Sequence, residues 1–178
     1  MKDKNVKNFY LKMIYNIKEE TEKIFIFGKK FANDNKKICR IILNYRKLMM
    51  EYLLKKDISK IKKSEKLKWR IISDLIDIKS MFENCSSLTV LSDNISFLSI
   101  KKFNNISNLF RGCSSQKKSP DISKWNTNYV INMAGIFEGC SSFVSLPDIF
   151  KWNTNNIIHM AGIFERFSSL ISLPDISK

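Results

Sequence analysis

At 178 residues the chain has room for one domain with an appended module, and 44% apolar and aromatic content is enough to build a core. Its formal net charge of +14 is uneven: residues 1–70 hold 21 Lys/Arg against 8 Asp/Glu, residues 71–178 hold 10 against 9. No apolar run approaches the roughly 20 residues needed to cross a bilayer, and residues 1–20 lack an export signal, so the sequence as written predicts a cytoplasmic protein, or a surface protein if a signal precedes Met1.

In chain order, residues 9–17 have strand character and residues 18–22 form a polar turn. Residues 24–27 are a short apolar strand ended by Gly28, and residues 38–43 are a third strand. Residues 45–54 fit either a helix, through Leu48, Met49, Tyr52 and Leu53, or a returning strand. Residues 55–68 read as a basic linker, and Trp69, Ile71 and Ile72 start the second segment of the chain. Gly28-Lys-Lys is not a phosphate loop, because the upstream Gly and following Ser/Thr are missing. Residues 1–70 therefore read as a β-rich, basic N-terminal cap and linker. Their charge has two readings: contact with nucleic acid or an anionic membrane, or ordinary solvation, which is favoured.

From residue 71 onward the sequence repeats. Cys85, Cys113, Cys140 and Phe167 each head a Ser-Ser pair, at steps of 28, 27 and 27. Ile78, Ile106, Met133 and Met160 form a second column, and Phe82, Phe110, Phe137 and Phe164 a third. Further columns are Leu75, Phe103, Val130 and Ile157; Ile95, Ile122, Ile149 and Ile176; and Leu98, Trp125 and Trp152. Self-similarity at such a period means stacked supersecondary units, each covering its neighbour's apolar face. The apolar spacing in residues 133–137 suits one helical turn, and Leu-x-x-Leu-Pro suits a strand stopped by proline. The expected fold class is α/β: a solenoid of about four repeats over residues 71–178, the last incomplete, with a short strand and a short helix per ~27-residue repeat. In the second unit Gln116 and Ser119 fall in two Leu columns, so that unit should be the weakest.

The motifs Met81-Phe82-Glu-Asn-Cys85-Ser-Ser-Leu88 and Pro120-Asp-Ile-Ser-Lys-Trp-Asn-Thr127 resemble the BspA-like leucine-rich repeats, also called DUF285 or mycoplasma lipoprotein-type repeats. The resemblance covers roughly residues 71–178, and residues 23–44 are similar to the leader that precedes such repeats in microbial eukaryotes. It implies a right-handed leucine-rich-repeat solenoid used for adhesion or protein interaction. No catalytic residue comes with it, and many bacterial relatives are secreted or surface-displayed.

Candidate sites are few. Trp125 and Trp152 read either as exposed interaction anchors or, given their period, as a packed ladder. Cys85, Cys113 and Cys140 have no Cys-x-x-Cys or His partner for zinc and read as buried filler. Asp121, Asp148 and Asp175 supply one carboxylate per unit, too few for calcium, and read as turn acceptors. His159, the one histidine, falls in the polar column of Asp77, Asn105 and Asn132. No enzyme triad, dinucleotide fingerprint or cofactor site is present. The expected function is a non-catalytic protein-interaction module, with an unidentified protein partner or self-association through the C-terminal end. The alternatives are a surface adhesin, or association with nucleic acid or membrane through residues 1–70.

Overall fold

The computed structural model describes residues 13–15, 23–35, 39–43, 46–48, 52–54, 68–71, 77–92, 95, 100–145 and 149–171; for the strands between 39 and 71 only the backbone is described. Three antiparallel sheets occur among these residues. Strand β1 (Met13–Tyr15) pairs with β7 (Leu88–Leu91), β2 (Lys23–Phe25) with β5 (Tyr52–Leu54), and β3 (Cys39–Leu43) lies between β4 (Arg46–Leu48) and β6 (Lys68–Ile71). Residues 45–54 thus contain two returning strands rather than a helix. Trp69 and Ile71 pair with β3, so they continue the leader's sheet instead of opening the first repeat.

A helix that the sequence pattern does not announce begins just after Gly28. Helix α1 (Lys29–Asn35) ends in the weak helix formers Asn33, Asp34 and Asn35 and has only seven residues, too short for a periodic signal. Packing holds it instead. Phe31, Ala32 and Asn35 are buried, and the Phe31 ring lies 5.3 Å from that of Phe27.

The repeats stack through residues 77–85, 105–113, 132–140 and 159–167, designated units 1 to 4. None of these segments is helical. Alternate amides do two different jobs. One set closes local turns: Met81 N donates to Ile78 O, Cys85 N to Phe82 O, Ile136 N to Met133 O and Cys140 N to Phe137 O. The other set reaches the next unit. Ser80, Phe82 and Asn84 donate to the carbonyls of Ser107, Leu109 and Arg111; Ile106, Asn108, Phe110 and Gly112 to those of Asn132, Ala134, Ile136 and Glu138. Met133, Gly135, Phe137 and Gly139 donate to His159, Ala161, Ile163 and Glu165, and all these bonds span 2.7–3.2 Å. A continuous helix through 133–140 would spend the Phe137 and Gly139 N–H groups internally, whereas here both are needed next door.

One peptide plane therefore accepts from behind through its C=O and donates ahead through its N–H. A continuous amide chain results: Gly28 N to Met81 O, Phe82 N to Leu109 O, Phe110 N to Ile136 O, Phe137 N to Ile163 O. It starts in the leader. The phenylalanine rings stack beside it: Phe82, Phe110 and Phe137 are fully buried, 5.6–5.7 Å apart and within 4° of parallel. Half-buried Phe164 continues the stack at 6.1 Å, and Phe27 closes its other end at 5.6 Å with a 35° tilt.

Among the described residues of the repeats the expected strand is present only as β7, whose partner is β1 and not a neighbouring unit. Elsewhere the units are joined outside the ladders by single contacts, such as the parallel bridges linking Asn105, Asn132 and His159. Ile78, Ile106 and Met133 are buried in one column and Ile95 and Ile122 in another; Leu75, Leu98, Leu146, Leu173 and Ile176 lie outside the described residues.

Two positions in every unit have positive φ: Ser80, Asn108, Gly135 and Gly162 in one column, Asn84, Gly112, Gly139 and Arg166 in the other. Each is the third residue of a four-residue turn, where a type II geometry demands this conformation. We predict that Gly139→Ala destabilises by about 1–2 kcal/mol, the cost of a left-handed non-glycine residue. Arg166→Gly should stabilise by up to about 1 kcal/mol, reduced by glycine's larger entropy loss. Urea unfolding midpoints check both.

Candidate functional site

Trp125 and Trp152, expected either as surface anchors or as a packed ladder, are 4% and 6% exposed and stack on each other at 6.2 Å and 14°. Trp152 Nε1 donates to the Ile122 carbonyl at 3.1 Å, while Trp125 Nε1 is buried without an acceptor. The pair is an interior ladder, which corrects the reading of these residues as an interaction site.

Cys85, Cys113 and Cys140 are buried free thiols. Their role exceeds volume filling. The Cys113 thiol donates to the Phe82 carbonyl at 3.2 Å and the Cys140 thiol to that of Phe110 at 3.1 Å. These are carbonyls that the inter-unit amide ladder does not use. Burial raises all three thiol pKa values, that of Cys140 up to about 12, so the thiolate needed for redox or metal chemistry is suppressed. In unit 4 the column switches to Phe167, whose ring meets Phe143 and Phe164 edge-on.

The polar columns build turns. Asp77, Asn105 and Asn132 each accept the N–H two residues ahead, at 2.8–3.0 Å. Asp121 accepts from both the backbone N–H and the hydroxyl of Ser123, and these hydrogen bonds hold its carboxyl below the ordinary value. Asp148 and Asp175 lie outside the described residues. His159, in the Asp77 column, is exposed. Among the described residues no group of three His, Cys, Asp or Glu could hold a metal ion. Nor is any helix there long and apolar enough to cross a membrane.

A charge ladder escaped the sequence reading. Glu83, Arg111, Glu138 and Glu165 occupy one column, at steps of 28, 27 and 27. Arg111 makes a two-pronged contact with Glu138, both distances 3.0 Å, and reaches Glu83 at 3.6 Å. The single cation among three glutamates was the available signal.

Gln116 is fully buried in the column of Leu88 and Phe143, and neither of its side-chain polar atoms has a partner. Ser119 differs: it is half-buried and its hydroxyl donates to the Pro120 carbonyl at 2.8 Å, so it is not a lost core position.

Large apolar side chains on the surface recur with the period. Ile131 and Ile158 stand 27 residues apart and are joined by the Ile158 N to Ile131 O bond at 2.8 Å. Val144 and Ile171, also 27 apart, are joined in the same way at 3.2 Å. The preceding unit carries exposed Asn104 and Lys117 at these two positions.

Stacked units of fixed period, with their polar columns spent on turns, define a repeat protein. Residues 50–177 match the family described as Mycoplasma protein of unknown function, DUF285, and the chain belongs to that family. No curated protein and no solved structure matches it.

Gln116→Leu should raise stability by about 1–3 kcal/mol in chemical unfolding, because it removes two unsatisfied polar atoms from an apolar column. The thiols predict an alkaline loss of stability. A folded-state pKa raised above the unfolded value keeps the proton on the native thiol while the unfolded chain releases it. Stability is then intact below the unfolded value near 9 and falls as pH rises above it, by about 1.4 kcal/mol per pH unit for each thiol. Unfolding of Cys140→Val measured from neutral pH to pH above 9 should show a slope shallower than wild type by that amount.

Proposed function

We propose that the chain is a non-catalytic protein-interaction module whose stacked units form a right-handed leucine-rich-repeat solenoid of the BspA-like type, closed at its N-terminal end by the leader. The observation that carries this reading is the recurrence of exposed apolar pairs, Ile131 with Ile158 and Val144 with Ile171. Apolar side chains gathered on a water-facing surface stabilise nothing there, and contiguous patches of them mark contact sites. Backbone hydrogen bonds between units join each pair, so their spacing is set before a partner arrives, which lowers the ordering cost of binding. Tyr129 and Phe150, both more than half exposed, add aromatic area of the kind that dominates binding energy.

A second reading rests on charge. The excess of 21 Lys/Arg over 8 Asp/Glu in residues 1–70 suits an anionic surface, and binding of the full chain to anionic vesicles or RNA that vanishes at high salt would favour it. Exposure of a tagged protein on the surface of its own cell would favour an adhesin.

The test of the interaction reading is Ile131→Lys with Ile158→Lys. Both side chains are exposed, so the unfolding midpoint should stay within the small range typical of surface substitutions. Proximity labelling in the source cell should lose the partners that wild type marks. Unchanged labelling by a folded double variant would reject this face as the contact surface.

A further inference from the structure

The ladder bonds between units run one way. Along the ladder proper, from Ser80 to Glu165, the earlier unit donates N–H and the later unit accepts through C=O. Each unit therefore has a carbonyl side facing its predecessor and an N–H side facing its successor. The bonds flanking the ladder run in the opposite sense: Ile131 N and Asn132 N donate to Asn104 O, Val144 N to Lys117 O, Ile158 N and His159 N to Ile131 O, and Ile171 N to Val144 O.

The leader covers the carbonyl side of unit 1. Gly28 N–H donates to Met81 O at 2.9 Å, and the fully buried Asn35 amide donates to Asp77 O at 3.3 Å. Gly28 is the residue that permits this approach: a Cβ there would overlap the Ser80 carbonyl oxygen and lie 3.1 Å from Glu83 N. Strand β1 covers the flank at β7.

On unit 4, Met160, Gly162, Phe164 and Arg166 stand in phase with the donors Met133, Gly135, Phe137 and Gly139. Among the described residues nothing accepts their N–H groups. Met160 is 52% exposed where Met133 is 1% exposed. We propose that this N–H side of unit 4 is a docking surface for the carbonyl side of unit 1 in a second copy of this chain whose leader has moved aside, and that the leader in place keeps copies from joining head to tail.

Hydrogen-bond polarity selects that occupant. Two N–H sides brought together by a twofold axis would set donors against donors. An ordinary strand edge alternates N–H and C=O, so half of its groups would meet their own kind. A carbonyl side of this same repeat supplies acceptors at alternate residues, continues the phenylalanine stack, and covers Met160 as Met133 is covered. Head-to-tail contact is heterologous and does not close, so it generates open chains. This proposal concerns the end of the stack and stands apart from the lateral apolar pairs.

The test uses the full chain with Gly28→Val, which forces the leader off unit 1, and sedimentation over a wide concentration range. Wild type should run at the mass of one chain, 20.9 kDa. Gly28→Val should give masses that climb with concentration and do not stop at a dimer. Adding Met160→Lys, at an exposed position, should return that variant to one chain's mass. If Gly28→Val does not fold, Asn35→Leu, which removes the amide on the Asp77 carbonyl at similar volume, is read in the same way. A wild-type dimer abolished by Met160→Lys would overturn the proposal. So would a folded, monomeric Gly28→Val, or an oligomer indifferent to Met160→Lys.

Discussion

The amide chain from Gly28 through Phe82, Phe110 and Phe137 to Ile163 is the constraint on which the other features depend. A buried peptide group must be hydrogen-bonded on both sides, and neither helix nor sheet provides for these segments. The solution spends alternate peptides within the unit and the rest between units. That division forbids a continuous helix, because the between-unit amides are withheld from local pairing. It imposes the two left-handed columns, because linked four-residue turns need positive φ at their third residue. It also fixes the distance between units, so rings in one column meet at 5.6–6.1 Å, within the range of favourable aromatic contact.

The apolar columns were legible in the sequence because periodicity alone reports which positions share an environment. Phe82, Phe110 and Phe137 needed no knowledge of the backbone to be grouped. The backbone itself was not legible from those columns. Spacings of three and four at Met133, Ile136 and Phe137 fit a helical turn and a pair of linked turns equally well. The decisive signal lay in the glycines: four of the five, Gly112, Gly135, Gly139 and Gly162, fall in the two left-handed columns, and asparagine fills two more places. Glycine and asparagine recurring in phase are a statement about φ, not about the core. Trp125 and Trp152 show the opposite limit, since period cannot say whether a ladder faces inward or outward. Helix α1 left no trace because its burial depends on unit 1, far away in sequence.

Unit 2 joins a 28-residue step to a 27-residue step, and its departures from the consensus cluster there. Some are compensated. Arg111 in a glutamate column converts stacked like charges into an ion triad, with Glu138 only 15% exposed, where such contacts gain from reduced screening. Gln116 is not compensated, nor is Trp125 Nε1. A stack whose stability is approximately a sum of unit and interface terms can carry one weak member only because its neighbours brace it from both sides. The fully buried Phe110 and Ile106 on unit 2 meet that condition.

The one-way ladder also gives the stack an electrical direction. Peptide dipoles of about 3.5 D that point the same way add, as in a helix, leaving partial negative charge at the carbonyl side and partial positive charge at the N–H side. Phe27, Gly28 and Asn35 of the leader lie against the carbonyl side, and residues 1–70 hold 21 of the chain's 31 basic residues. Lys29 and Lys30 come directly after the capping Gly28 and are exposed, so their charge is screened by solvent and counts for less than that of a buried cation. Lys30 is moreover paired with Asp34 at 3.0 Å, so the favourable sign there rests on Lys29. An acidic segment in the same place would set carboxylates against a row of carbonyl oxygens. An apolar lid would cover Phe82 but leave the Met81 and Asp77 carbonyls without donors. The leader meets three demands at once: a ring for the phenylalanine stack, donors for the carbonyls, and positive charge for the dipole. The N–H side of a unit makes the converse demands, acceptors and negative charge, so no symmetric cap could serve both sides.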